Sequence, residues 1–297
     1  MIPSGKPFVA NAEMFSEQSI SDPEAGEWLS LIEISLVKGL GDRHNELITT
    51  GDPCWGALYS LLKRIHEHAS GAVYLFYNNH WEPLEVVTRA VIEASATSIL
   101  LAKRDREIRL SQFLTHHFST MRKRVLASDE SEVDAAKNIF DQRVSFANRI
   151  FADTCIRFDT IGWPKTTKDR FAAADMAHEY AHIYANLSSN VHGDAEYLLD
   201  DMIRRVSADH EPASAELAQC EKCYWARYFV YNSLLYYAFA ARCYAAAYCF
   251  TAALVDLDNA IVAIERKLAL HAEDYVKSVD RIKNRIKAGT TRGRGFG

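Results

Sequence analysis

Little in the sequence reads as a segment that would take a chain into or across a membrane. The stretch MIPSGKPFVANAEMF has no charged start followed by a long apolar run, so no secretory signal is read from it. Six cysteines in 297 residues (Cys54, Cys155, Cys220, Cys223, Cys243 and Cys249) are too sparse for a disulfide framework. They read as reduced thiols of a cytoplasmic protein. The longest apolar stretch, YFVYNSLLYYAFAARCYAAAYCFTAALV at residues 228–255, is split by Arg242. Neither uncharged run reaches the roughly 20 residues of a spanning helix. It is expected instead as the buried central helix of a soluble bundle, where a helix is apolar all round. Excess positive charge is missing too. A net charge of −5 excludes whole-chain attraction to nucleic acid or anionic lipid, so RNA or a nucleotide would need a local basic pocket.

Strands are hard to find as well, because alternation of apolar and polar residues never persists between hairpin turns. What remains is the punctuation of helices. One helix starts at Ser21 or Asp22 before Pro23 and closes at Gly39 and Gly41. A second starts at Asp52-Pro53 and is expected to stop before Gly71. In HWEPLEVVTRAVIEASATSILLAK, Leu84, Val87, Ala90, Val91 and Ala94 recur at helical spacing. Further helices are expected over about 106–127, 130–153, 167–187, from 213 past 250, and 257–287. The expected fold is all-α: a single bundle-like domain over 1–297. A C-terminal helical extension follows at about 213–288, after the linker candidate SADHEPAS, then a disordered tail at 289–297.

The sharpest motif is HEYAH, residues 178–182. On a helix, His178 and His182 share a face and could bind one zinc ion, with Glu179 as the general base on a metal-bound water. The third ligand is the difficulty. The spacing of one zinc-protease branch falls on Ser188, with Ala185 where that branch has glycine, and the other branch would use Glu196. Zinc is therefore the alternative, and no cofactor the first expectation. Cys220-Glu221-Lys222-Cys223 is a lone C-x-x-C without a second pair or a βαβ setting, and reads as two helical cysteines. The pairs Arg109/His116, Arg204/His210, Arg205/His210 and Arg266/His271 fit the Arg-x(4–6)-His spacing of HEPN ribonucleases. Composition gives such pairs readily by chance, and none has the Asn, Asp or His usual after the Arg.

Two stretches carry a longer pattern. VVTRAVIEASATSILLAK places Arg89 and Glu93 four apart on an apolar helix. YAHIYANLSSNVHG holds Tyr180, Tyr184, Leu187, Ser188, Val191, His192 and Gly193. Together, over about residues 55–200, they resemble a large uncharacterised bacterial family of all-helical domains. That family has an R-x-x-x-E helix and, about a hundred residues later, a Y…LS…VHG turn. It is distantly similar to HEPN proteins and suspected of defence or toxin roles. The resemblance implies a site of Arg89, Glu93 and His192, supported by Tyr180, Tyr184 and Ser188. Charges on an apolar helix need a partner or a ligand. The expectation is that His192 packs against Arg89 and Glu93, so that Arg89 holds a phosphate and His192 moves a proton.

Three functional classes follow: an interaction or regulatory protein without catalysis, a HEPN-like metal-independent protein acting on RNA or a nucleotide, and a zinc hydrolase. The partner is unknown. A homo-oligomer would use the Tyr- and Ala-rich 228–255 helix as readily as a core does.

Overall fold

Helix starts follow the side chains available. Asp52 caps α2 (Pro53–Tyr77; α1 is Glu24–Leu40), its Oδ1 accepting from the Cys54 N–H at 2.8 Å with Pro53 in the first turn. α3 spans Trp81–Ala102, α4 Arg106–Leu126 and α5 Val133–Ile150. Thr166 caps α6 (Thr167–Ala173), its hydroxyl accepting from the Asp169 N–H at 3.1 Å. α7 is one turn, Ala177–Glu179, running into a π-helical turn at Tyr180–Tyr184. α8 (Pro212–Ala247) and α9 (Thr251–Arg292) complete the chain. The computed structural model describes residues 22–41, 47, 51–129, 131–184, 187 and 212–292, and no strand occurs among them.

Three of the helix breaks share one device. Asn79, Asp175 and Cys249 adopt the left-handed conformation, with φ of 56°, 63° and 57°. In each case the next N–H bonds back to the carbonyl five residues earlier: His80 to Leu75, Met176 to Phe171, and Phe250 to Ala245. This is the Schellman closure, which most helices make with glycine. It accounts for three departures from the sequence expectations. The helix starting at Pro53 runs through Gly71 to Tyr77, because the stop lies at Asn79. The helix expected over 167–187 is interrupted at Ala174–Met176, and the one expected to pass 250 stops at Ala247. α9 continues to Arg292, past the point where the tail was expected to begin, and residues 293–297 lie outside the described residues.

α8 is the centre of the bundle, packed against α9, α3, α2 and α1. Tyr231, Leu234, Ala238, Ala240, Ala241 and Tyr244 on it are fully buried. The part of the apolar 228–255 stretch up to Ala247 thus lies where expected, in a buried central helix, while residues 251–255 open α9. Arg242 reaches the surface and pairs with Asp258 of α9. No described helix is long and apolar enough to cross a membrane. α1 lies against α9 so closely that a Cβ on Gly39 would stand 2.8 Å from Ala253 Cβ and 3.0 Å from Phe250 Cβ. Gly39→Ala is therefore expected to cost about 1–3 kcal/mol through overpacking. Chemical denaturation of the variant checks this, with Gly56→Ala, whose Cβ meets nothing within 4 Å and which gains only the helix propensity of alanine, as the comparison.

Candidate functional site

The half-buried face of α3 presents Arg89 and Glu93 toward α6 and the π-turn. Tyr184, buried at the end of that turn, stands between them. Its hydroxyl accepts from Arg89 Nε and Nη2 at 3.3 and 3.1 Å and donates to Glu93 Oε2 at 3.1 Å. The Arg89 guanidinium also lies 5.1 Å from the Tyr184 ring centre. The other carboxylate oxygen of Glu93 accepts from Arg170 Nη2 of α6 at 2.6 Å, and Arg170 is held in place by Thr167 Oγ1 at 2.9 Å. Among the described residues, no ion pair joins Glu93 to Arg89.

The sequence named Arg89, Glu93 and Tyr184 and missed Arg170 and Thr167. The signal was the order of the pair. Acid before base at i,i+4 is the favourable orientation on a helix, and R-x-x-x-E is the reverse. A carboxylate so placed takes its cation from another element. His116 of α4 belongs to the surroundings. Burial, then the Arg170 guanidinium and Lys123, push its imidazole below the usual range, so it is neutral at pH 7. Ser188 and His192, expected to complete the site, lie outside the described residues, as does Glu196.

The π-turn shapes the rest. It follows α7 without a break, and side chains four apart along the two share a face. Tyr180 stacks on Tyr184 at 5.6 Å with 24° between planes, and Phe171, fully buried, packs edge-on to Tyr180 and at 4.9 Å from Tyr184. His178 and His182 face each other with ring centres 4.1 Å apart, both exposed. They could chelate one divalent ion from one face. Among the described residues, no group of three or more His, Cys, Asp or Glu is placed to hold a metal. Glu179 of the same motif lines a cavity against α8 that neither histidine lines. Of the Arg–His pairs, Arg109 bonds the Arg104 carbonyl and His271 packs on Tyr224, so each is engaged locally.

A family model for DUF5677, a family of unknown function, matches residues 56–210, more than half of the 297. The chain belongs to that family. No curated protein and no solved structure matches it. The DUF5677 segment starts inside α2, contains Arg89, Glu93, Arg170 and Tyr184, and ends just before α8.

Proposed function

We propose that Arg89 marks an anion-binding site and that this DUF5677 protein recognises a phosphate group, as part of a nucleotide or RNA. The observation behind this reading is an unbalanced charge. Glu93 is occupied by Arg170 and Tyr184, while Arg89 meets a neutral phenol and, among the described residues, no carboxylate. A half-buried guanidinium without an anion is costly, and its planar fork suits phosphate oxygens. Tyr184 fixes the fork from one side and leaves its remaining N–H groups for a ligand. The protein so described is an interaction or regulatory protein whose ligand is a phosphate, held in a site without a metal.

Equilibrium binding of ATP and of a short single-stranded RNA tests this. Arg89→Gln is expected to weaken binding about tenfold, as loss of a charge-assisted contact does. Arg89→Lys should retain part of it, because lysine supplies the charge without the fork. Unchanged affinity in Arg89→Gln would sink the proposal.

The distant likeness to HEPN proteins favours a second reading in which His192 cleaves the bound RNA, within a defence or toxin role. Incubation of RNA in EDTA separates it from binding alone: cleavage lost in His192→Ala supports catalysis. A zinc hydrolase is the remaining proposal, resting on the contact between His178 and His182 and decided by metal analysis of the purified protein.

A further inference from the structure

The cavity that Glu179 lines, of about 510 Å³, opens between the C-terminal end of α3, the α6–α7 turn and the outer face of α8. Its volume is in the range of small-molecule sites. Apolar walls come from Ile99, Met176 and Phe239, among others, and Tyr236 closes one side. Its charges are nearly all committed. The Lys103 ammonium holds the Ala173 carbonyl and Asp175, both at 2.6 Å, and Arg242 is paired with Asp258. Glu179 is the exception: among the described residues its carboxylate has no ion pair and no hydrogen bond, although it sits in a largely apolar recess. Its charge is felt at Tyr236, whose phenol is pushed up by burial first and by Glu179 next. The thiol of Cys243 in the same wall is also raised by burial, so it stays protonated and adds no charge. With Lys103, Asp175, Arg242, Asp258 and Glu179 counted together, the net charge around the recess is −1.

We infer that this cavity binds an organic cation, an amine with an aryl or alkyl body, with Glu179 as its counter-ion and Tyr236 and Phe239 as its aromatic wall. An ammonium group completes the unmatched carboxylate and is attracted to the faces of aromatic rings, while the body of the molecule covers Ile99 and Met176. The two rings stand 6.1 Å apart at 48°, in contact with each other, and so form one continuous aromatic wall for the body of the ligand. This assigns a role to the acid of HEYAH that is independent of its histidines and of the Arg89 site. Failure of either proposal leaves the other standing.

Calorimetric titration with phenethylamine, and with 3-phenylpropanoate as the probe of opposite charge, tests the assignment. The amine is expected to bind and the carboxylate to bind at least about tenfold more weakly, as charge complementarity demands. Glu179→Gln, which keeps the shape and removes the charge, should weaken the amine by a similar factor and leave the propanoate unchanged or improved. Phe239→Ala should weaken both probes, and thermal melts of the two variants show that the fold is kept. Equal affinity for the two probes, no binding of the amine, or full affinity in Glu179→Gln would each overturn the inference.

Discussion

Phe171→Ala is expected to lower the unfolding free energy by about 3–5 kcal/mol, the range for deleting a buried aromatic ring. Phe171 is fully buried on α6, its ring fills the space beside Tyr180 and Tyr184, and its carbonyl closes the Schellman turn through the Met176 N–H. Alanine keeps the carbonyl and the turn but opens a cavity beneath the π-turn. Urea denaturation gives the magnitude. A second readout follows from geometry. With its support gone, the Tyr184 hydroxyl no longer holds Arg89, so phosphate affinity should fall along with stability. A loss below about 1 kcal/mol would show that the π-turn collapses onto the space without cost, against the well-packed ring cluster described above.

Glu93→Ala is the second large effect, about 2–3 kcal/mol. Removing one partner from a half-buried charge network leaves the others uncompensated: Arg170 loses its carboxylate and keeps Thr167, and Tyr184 loses Glu93 as acceptor. Part of the Glu93 side chain reaches solvent, which places the cost below that of a fully buried pair. The informative experiment is the cycle with Arg170→Met. If the 2.6 Å contact carries the stabilisation, Arg170→Met should be milder in the Glu93→Ala background, with a coupling of about 1 kcal/mol or more. Additive losses would assign Glu93 to Tyr184 alone.

The fold and the site differed in how far the sequence exposed them. α8 was legible because a long apolar stretch with one interior arginine has few places to go except the middle of a bundle. Arg242 escapes from it to Asp258 on the neighbouring helix. The ends of helices were less legible. Three of them close on Asn79, Asp175 and Cys249, where a reader looks for glycine, while Gly71 lies inside a helix and stops nothing. Aspartate and asparagine tolerate the left-handed conformation better than other side chains do, but their presence alone does not announce it. Cys249 gave no signal at all.

At the site, Arg89, Glu93 and Tyr184 were named from one pattern and do meet. The pairing among them was not readable. The partner of Glu93 is a residue 77 positions away, on a seven-residue helix whose docking depends on Phe171. HEYAH divides in a way no linear motif shows. Its histidines, four residues apart, meet on an exposed face, while its glutamate, one residue on from His178, is turned into a recess.

The position of α8 has a consequence for synthesis. The apolar faces of α2 and α3 meet it, yet it is made only after everything up to Glu211 has been polymerised. At ordinary rates of translation, the gap between completing α3 and completing α8 is on the order of ten seconds. For that interval the nascent chain carries half of an interior with nothing to close it. Apolar surface left open in this way is the kind that is prone to aggregate before folding is complete.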